Sequence, residues 1–289
     1  MPELPEVETV KRQLAPWLTG RTIRRVELLA PPGPKYAGLA RAAGQSIESV
    51  GRRGKFLLMP LSGGDELVAH LGMTGVLTPG GAGEPPKHLR VAVDLEGAAP
   101  NRLEFNDPRR FGRFLVVRRG DYAKLPTLAA LGPEPLDATF TAEMFHAALG
   151  RSEMAVKTYL LSQRPVAGVG NIYADEALWR VGLHPLTPAA RVKPGQAGEL
   201  LSAIRDVLSA SIEAQGTTLS DYRTVYGESG DYADRLDVYG RAGKECPRCG
   251  GQLEKIIVGQ RGTTFCPDCQ RRPKARKSAA GRKKSNKSS

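Results

Sequence analysis

The sequence contains no uninterrupted apolar run near 18 residues, and no charged segment leads into a hydrophobic stretch at its start. These two absences argue against a membrane-spanning helix and a secretory signal. Cysteine is scarce, with four among 289 residues, all of them between positions 246 and 269. The length allows about two domains, and 40% apolar residues can supply their cores. We therefore expect a cytosolic protein without a disulfide framework.

Acidic residues are absent from the end of the chain. Residues 271–289 hold nine lysines and arginines, so they carry +9 of the formal net charge of +12, and the other 270 residues carry +3. A segment this basic, rich in Ser, Gly and Ala, cannot bury enough apolar surface to fold. We predict a disordered tail whose partner is a polyanion. A tail that only increases solubility is the alternative.

An N-terminal helix followed by short strands is predicted for the first part of the chain. Apolar residues recur every three or four positions from Pro5 to Leu18, and Gly20 follows as a stop signal. From residue 22 to about 118, short apolar runs alternate with Gly and Pro clusters. This pattern predicts a β-sandwich-like or barrel-like domain behind one helix.

The second part is helical in pattern, after a Pro-rich connection. Residues 141–216 show helical periodicity, with Thr141 and Ser152 as expected N-caps and a long helix over 198–215. Residues 217–240 are polar and rich in Tyr without clear periodicity. A connection of this length is usually functional or mobile.

The cysteines form two pairs, Cys246-Pro-Arg-Cys249 and Cys266-Pro-Asp-Cys269, separated by sixteen residues. Two such pairs place four thiolates around Zn²⁺, and four protein ligands leave no open position, so we predict one structural zinc ion. Free thiols and an iron-sulfur cluster are the alternatives. The residues between the pairs predict a β-hairpin with Arg261 at its tip, which the metal would hold rigid.

Four further segments occur in the order found in one known family. They are PELPEVET at residues 2–9, HLGMTG at 70–75, NDPRRFG at 106–112 and GVGNIYADE at 168–176. Together with the cysteine module they resemble the formamidopyrimidine-DNA glycosylases, the bacterial base-excision enzymes for oxidised purines. The resemblance extends to about Gln270, and the basic tail beyond it departs from the common family pattern.

The resemblance implies an α+β fold with five parts. These are a β-sandwich catalytic domain with an N-terminal helix over 1–125, a linker over 126–140, a helix-two-turn-helix DNA-binding domain with a lesion loop over 141–240, a zinc finger over 241–270, and the tail. It also implies a monomer in the bacterial cytosol or nucleoid. The expected partner is double-stranded DNA that contains oxidised bases or abasic sites, with no membrane involved.

The family's chemistry starts at the N-terminus. With Met1 removed, Pro2 would present a secondary amine, and α-amino groups titrate near pH ~8, so a useful fraction is unprotonated at neutrality. Such an amine can attack C1′ of a damaged nucleotide and expel the base, which leaves an iminium that permits elimination of the 3′ and then the 5′ phosphate. A retained Met1 would block this nitrogen as an amide. On composition alone, Pro2 is an ordinary helix N-terminal residue.

Three more residues match family positions with catalytic roles. Glu3 would transfer a proton at the sugar ring oxygen, Lys55 would contact the lesion phosphate and donate a proton in β-elimination, and Arg261 would bind the flanking phosphates and aid δ-elimination. The alternatives are an acid that favours the helix dipole for Glu3 and a solvated strand lysine for Lys55.

A base inside a duplex is unreachable, so the enzyme must flip it and fill the gap. Met73, Arg109 and Phe111 match the family's wedge residues, and the Arg109 guanidinium can bond the orphaned cytosine. Taken singly, Met73 and Phe111 would more often be core residues.

The remaining matches concern DNA contacts. Asn171 ends a Gly-Val-Gly-Asn turn whose backbone amides can approach a phosphate. His88, Arg151 and Lys157 correspond to family phosphate contacts, Glu176 to an acid near the lesion pocket, and residues 217–240 to the lesion-capping loop.

The resemblance thus predicts a bifunctional DNA glycosylase and AP lyase that removes 8-oxoguanine and formamidopyrimidines. The endonuclease VIII branch, which prefers oxidised pyrimidines, is one alternative, and the PELP start and the wedge residues favour the first branch. A non-catalytic zinc-ribbon DNA-binding protein is the other. Such a binder has no need of Pro2 or Lys55.

Overall fold

The computed structural model describes residues 2–81, 84–219 and 222–272. Its first part is a helix and a β-sandwich. Helix α1 precedes eight strands that form two four-stranded antiparallel sheets, in the orders β1-β6-β7-β5 and β2-β3-β4-β8. The elements are α1 (Leu4–Leu18), β1 (Ile23–Leu28), β2 (Gly51–Arg53), β3 (Phe56–Pro60), β4 (Asp65–His70), β5 (Val76–Pro79), β6 (Leu89–Leu95), β7 (Arg102–Asn106) and β8 (Arg113–Arg118).

The sandwich core lies between the two sheets and α1. Leu57 and Leu67 from one sheet and Val91 and Leu103 from the other are at most 1% exposed and belong to one apolar cluster. The helix adds its apolar face to this cluster through Val7, Val10, Leu14 and Leu18. The predicted sandwich behind a single helix is confirmed.

The helical part follows a short linker helix, α2 (Pro126–Ala129). It consists of α3 (Ala142–Leu149), α4 (Val156–Leu161), α5 (Asn171–Arg180) and α6 (Pro194–Glu213), with 3₁₀ turns at 34–36, 39–42, 189–191 and 232–235 completing the described helical elements. Helices α3 to α6 share one apolar core, which also includes Leu4 from the start of α1. The beginning of the chain therefore joins the two parts. Within the described residues, no helix is long and apolar enough to cross a membrane.

The helix boundaries test the predicted caps. The Thr141 hydroxyl accepts a hydrogen bond from the backbone N–H of Met144 at 3.3 Å and caps α3, as expected. The prediction for Ser152 is wrong, because α4 begins only at Val156 and the Ser152 hydroxyl accepts from Met154 in a turn. Helix α6 begins at Pro194, four residues before the predicted start, since proline suits the first turn of a helix.

The last described element is a two-stranded hairpin, β9 (Glu254–Val258) and β10 (Arg261–Phe265), as predicted. Its turn residues Gly259 and Gln260 both have positive φ, 54° and 62°, which is the geometry of a type I′ turn that matches the twist of paired strands. The predicted basic tail lies outside the described residues, apart from Arg271 and Arg272.

Candidate active site

The start of α1 is buried against the start of α5. Pro2 is buried and Glu3 is 2% exposed. One carboxylate oxygen of Glu3, Oε1, accepts a hydrogen bond from the backbone N–H of Ile172 at 3.0 Å. This contact places the Glu3 side chain at the amino end of α5, where backbone N–H groups have no partner within the helix. The other oxygen, Oε2, is buried and has no hydrogen-bond partner among the described residues.

Two glycines of the Gly-Val-Gly-Asn turn make this approach possible. A Cβ atom on Gly170 would lie 2.2 Å from Cδ of Glu3, and one on Gly168 would lie 2.4 Å from Cδ1 of Leu4. Both distances are far below van der Waals contact, so neither position accepts a side chain. The sequence predicted that these glycines allow backbone amides of the turn to approach a phosphate. In the structure they admit the N-terminal segment of the chain itself.

Glu6 lies at the centre of the junction. Its Oε1 accepts from the Tyr173 hydroxyl at 2.6 Å and from the Thr217 backbone N–H at 2.8 Å, and its Oε2 accepts from the Glu3 backbone N–H at 2.7 Å. Burial raises the pKa of Glu6, and the nearby charge of Glu3 raises it further. None of these distant partners of Glu6 is visible in a local sequence pattern.

Lys55 occupies the second position of the two-residue turn between β2 and β3. Its side chain is only 7% exposed, so the alternative of a solvated strand lysine is wrong. Burial lowers the pKa of Lys55, and the charges of Glu3 and Glu6 oppose that shift. None of the described residues accepts a hydrogen bond from its ammonium group. Lys55 is therefore a desolvated cation near two carboxylates, with donors available for an anionic ligand.

Arg261 is the first residue after the hairpin turn, and its side chain is exposed. Its charge contributes to lowering the pKa values of both Lys55 and Lys157, which places three cations in one region. Within the described part of the chain the guanidinium has no ion pair or hydrogen bond. An exposed, unpaired guanidinium on a rigid hairpin is suited to bind phosphate.

A buried ion pair joins the hairpin to the helical part. The Nζ of Lys157 lies 2.6 Å from Oδ1 of Asp175 and donates to Oγ1 of Thr263 at 2.7 Å. The other oxygen of Asp175 accepts from the Thr264 backbone N–H at 3.0 Å. Burial raises the pKa of Asp175 to about 6, while the charge of Lys157 opposes that rise. The pair therefore holds the strand that carries Arg261.

Lys157 and Glu176 are both buried, whereas the predicted contacts with a DNA phosphate and with the lesion require accessible side chains. The structure gives Lys157 no exposed surface, and its ammonium group faces the protein rather than a phosphate. Glu176 is also 0% exposed, and its carboxylate accepts backbone N–H donors from three consecutive residues, 237–239. These contacts make both side chains supports for the segment that leads to the cysteine module. Their DNA and lesion contacts stay predictions.

The predicted wedge residues lie on two adjacent turns. Phe111 is 51% exposed, Arg109 is exposed and Met73 is half-buried, so Phe111 is not a core residue. The guanidinium carbon of Arg109 lies 5.1 Å from the centre of the Phe111 ring, within cation–π range. The turns therefore present the Phe111 ring and the Arg109 guanidinium together to solvent.

A buried acid organises these turns. Asp107 is 0% exposed, and its carboxylate accepts from the Thr74 hydroxyl and from the Gly112 backbone N–H, both at 2.7 Å. The Thr74 hydroxyl in turn accepts from the Arg109 backbone N–H at 3.3 Å. These hydrogen bonds join the two turns, residues 72–75 and 107–112, into one unit, called the wedge unit here, with the side chains of Arg109 and Phe111 in solvent.

A cavity of about 640 Å³ adjoins this unit. Thr74 and Arg109 line one side of it, and Thr224 and Gly227 from the predicted lesion loop line the other. The structure therefore brings the wedge turns and the loop together.

The other predicted DNA contacts are dispersed. His88 is half-buried, and its carbonyl accepts from the Asp107 backbone N–H at 3.0 Å, beside the wedge unit. Arg151 is exposed just after α3. Asn171 begins α5, and its side chain donates to the carbonyl of Gly262 in the hairpin at 3.1 Å.

The four cysteines converge as their spacing predicts. Their sulfur atoms all lie within 4.8 Å of one another, with Cys246 and Cys269 at 3.9 Å and Cys249 and Cys266 at 3.5 Å. Tetrahedral Zn²⁺ with Zn–S bonds of about 2.3 Å needs sulfurs about 3.8 Å apart. The residues therefore fit one structural zinc ion with no open position. The Trp179 indole N–H points to the Cys246 sulfur at 3.4 Å and links the module to α5.

Three family models match the chain. Residues 1–114 match the formamidopyrimidine-DNA glycosylase N-terminal domain, residues 131–223 match the H2TH domain of the same enzyme, and residues 243–272 match a zinc finger found in FPG and IleRS. The described architecture of sandwich, helical part and four-cysteine module corresponds to these three models in order.

Curated relatives and solved structures agree with the models. The formamidopyrimidine-DNA glycosylase of Thermus thermophilus is 50% identical over 93% of this chain and 98% of its own length, and its crystal structure matches with a TM-score of 0.86. The enzyme of Deinococcus radiodurans is 47% identical over 93% of this chain and 97% of its own. Lactococcus lactis Fpg in complex with DNA containing an abasic site is 33% identical with a TM-score of 0.82, covering 93% of this chain and 100% of that one.

All of these relatives are DNA glycosylases by name, so the alternative of a non-catalytic zinc-ribbon protein is wrong. Identity at this level over nearly the whole chain, with the same three domain models, decides the assignment. The chain belongs to the formamidopyrimidine-DNA glycosylase family of DNA-repair enzymes.

Proposed function

We propose that this glycosylase acts on duplex DNA as a bifunctional enzyme, removing oxidised purines through an imine with Pro2 and then cleaving the strand by β,δ-elimination. The observation that carries the proposal is the buried junction. Pro2 and Glu3 lie there at the start of α1. Lys55 is buried, the charges of Glu3 and Glu6 act on its pKa, and none of the described residues accepts a hydrogen bond from its ammonium group.

The first step requires an amine and an acid at the same sugar. The Pro2 nitrogen, once freed from Met1, forms a bond to C1′ while the bond from C1′ to the base breaks and the base leaves with its electron pair. Glu3 serves the ring oxygen with Oε2, which has no hydrogen-bond partner among the described residues, while Oε1 stays on the Ile172 N–H. Oε2 takes the proton that the Pro2 nitrogen loses on bonding to C1′ and passes it to the ring oxygen, whose bond to C1′ breaks, so that the sugar opens and the iminium forms.

The second step uses the cations of the site. Loss of the C2′ proton to water converts the iminium to an enamine, whose electron pair expels the 3′ phosphate and leaves a conjugated iminium. Loss of the C4′ proton then expels the 5′ phosphate in the second elimination. Lys55 and Arg261 stabilise the leaving phosphates by charge, and the lowered pKa of Lys55 makes it a better proton donor at neutral pH. Zinc bound to the four cysteines would hold the hairpin rigid and take no part in the reaction.

The exposed residues supply DNA recognition in this proposal. Met73, Arg109 and Phe111 would enter the duplex beside the flipped nucleotide, with Arg109 contacting the orphaned base. The cavity between the wedge unit and the lesion loop would receive the flipped base. Relatives solved with abasic-site DNA and with Fapy-dG containing DNA support this partner. We propose a monomer that acts in the bacterial cytosol or nucleoid.

Borohydride trapping on defined duplexes tests the proposal. With the N-terminus processed to Pro2, borohydride should reduce the imine and leave the protein attached to strands containing 8-oxoguanine or formamidopyrimidine. A chain with Met1 retained serves as the control and should not trap. Equal or better trapping and excision on oxidised pyrimidines would instead favour the endonuclease VIII branch.

A further inference from the structure

One carboxylate of the linker holds three consecutive residues of the catalytic turn. Oε1 of Glu134 accepts from the Gly54 backbone N–H at 2.7 Å and from Nη1 of Arg53 at 2.8 Å. Oε2 of Glu134 accepts from Nη1 of Arg52 at 2.8 Å. These three residues directly precede Lys55 in the chain. The linker is therefore bound to the turn that carries Lys55.

The same network reaches the helix that carries the nucleophile. Nε of Arg52 donates to Oε2 of Glu8 on α1 at 2.9 Å, and its Nη1 also donates to the Gly54 carbonyl at 3.0 Å. The side chains of Arg52 and Glu8 are each 10% exposed. The attraction between charges is stronger when water is excluded, and removing one partner of such a pair leaves an uncompensated buried charge.

Close backbone packing accompanies the hydrogen bonds of Glu134. Gly54 has a φ of +55°, in the left-handed region, and a Cβ there would lie 3.0 Å from Cδ1 of Leu131. A Cβ on Gly132 would lie 2.2 Å from the carbonyl oxygen of Arg164. The linker thus passes closely between the Lys55 turn on one side and the connection from α4 to α5 on the other.

The position of Lys55 depends on this arrangement, because none of the described residues accepts a hydrogen bond from its ammonium group. Packing buries its side chain, and the turn backbone that Glu134 holds fixes where that side chain begins. We propose that Glu134 is a positioning residue for Lys55, through which the linker sets the place of the catalytic lysine. This inference rests on the function proposed above for Lys55.

The test is single-turnover elimination on a duplex with a preformed abasic site. Glu134→Ala should slow elimination by up to about 100-fold, because small misplacements of a catalytic group cost this much. Formation of the borohydride-trappable imine should change by less than twofold, since Glu3 and Leu4, which follow Pro2, are held by Ile172 and Gly168 and not by Glu134. Glu134→Gln keeps an acceptor for the Gly54 N–H, and its elimination rate should lie between those of the wild type and Glu134→Ala.

Asp94→Ala is the matched control. Asp94 also bridges two arginines, Arg25 at 2.9 Å and Arg102 at 2.8 Å, on the sheet that does not contain Lys55. Its loss should lower stability without changing either rate. If Glu134→Ala slows imine formation and elimination equally, or if Asp94→Ala reproduces its effect, Glu134 supports only the fold and the inference is overturned.

A double-mutant cycle with Lys55→Ala gives the direct readout. In the Lys55→Ala background, Glu134→Ala should have no further effect on elimination, because coupled residues are non-additive. Equal effects in both backgrounds would overturn the inference. Where Glu134→Ala does not fold, Glu134→Gln takes its place in the same cycle with the same expectation. Failure of the wild type to trap would instead overturn the proposed function, so the two failures are distinguishable.

Discussion

The junction at the start of α1 and the wedge unit differ in where they place their functional side chains. At the junction, Glu3 and Glu6 are at most 2% exposed, whereas Arg109 and Phe111 of the wedge unit lie in solvent. Both are nevertheless organised by buried acids, Glu6 in the first and Asp107 in the second. The difference follows from the task. In the proposed function, the groups at the junction need a defined orientation before DNA binds, and the wedge side chains must be free to enter the duplex.

This comparison predicts opposite responses to mutation. Changes at the junction should alter chemistry strongly, and changes to the wedge side chains should alter recognition while leaving the fold intact. Four variants test this contrast.

Glu3→Gln should have the largest effect. A glutamine oxygen still accepts the Ile172 N–H, so the fold and DNA affinity should remain, but proton transfer to the ring oxygen is lost. General acid catalysis contributes about 10²- to 10⁴-fold, and single-turnover excision of 8-oxoguanine should fall by that factor. An excision rate within tenfold of wild type would remove Glu3 from the chemistry.

Gly170→Ala should damage both catalysis and stability. The new Cβ would overlap the Glu3 carboxylate, and overpacking of this kind costs about 1–3 kcal/mol of the free energy of unfolding. We also expect excision to fall by up to about 100-fold through displacement of Glu3. Gly195→Ala in α6, which meets no atom within 4 Å, is the control and should be neutral or stabilising. Equal behaviour of the two variants would contradict the close approach.

Asp107→Ala tests whether a buried acid prepares the wedge unit. The substitution leaves the buried Gly112 N–H without its acceptor, which costs about 1–3 kcal/mol. The turns should loosen, and lesion-specific binding should weaken by about tenfold, equivalent to ~1.4 kcal/mol. Thermal unfolding and binding to lesion and intact duplexes measure the two effects. Unchanged discrimination between the duplexes would show that the wedge does not need a preformed turn.

Among the four variants, Arg109→Ala should have the smallest effect on the free energy of unfolding. Its side chain is exposed, so the free energy of unfolding should change by less than about 0.5 kcal/mol. Excision opposite cytosine should fall by about tenfold, more than binding to undamaged duplex does, because the orphan-base contact forms only after flipping. Equal losses on both substrates would identify Arg109 as a plain phosphate contact.

The sequence predicted those features that local patterns encode. Periodicity located α1 and the sandwich, and spacing located the four-cysteine site. The candidate catalytic residues Pro2, Glu3 and Lys55 came from the family resemblance, since nothing in a short local pattern distinguishes a catalytic lysine from a solvated one. Only the structure shows that Lys55 is desolvated.

Contacts between residues far apart in the sequence could not be predicted from local patterns. Glu6 meets Tyr173 and Thr217 across more than 160 residues, and Lys157 meets Thr263 across 106. Such contacts arise from tertiary packing and leave no periodicity. The same reason explains why the buried places of Lys157 and Glu176 were not foreseen, and why Glu134 looked like part of a simple linker.

The central claim is that the buried amine of Pro2 is the nucleophile. Borohydride-trapped complex formed on an 8-oxoguanine duplex should be digested with protease, and the peptide bearing the DNA remnant should be sequenced by mass spectrometry. The account predicts a single modified residue, Pro2, at the N-terminus of the chain processed past Met1. Modification of Lys55, Lys157 or any other lysine in place of Pro2 would contradict it.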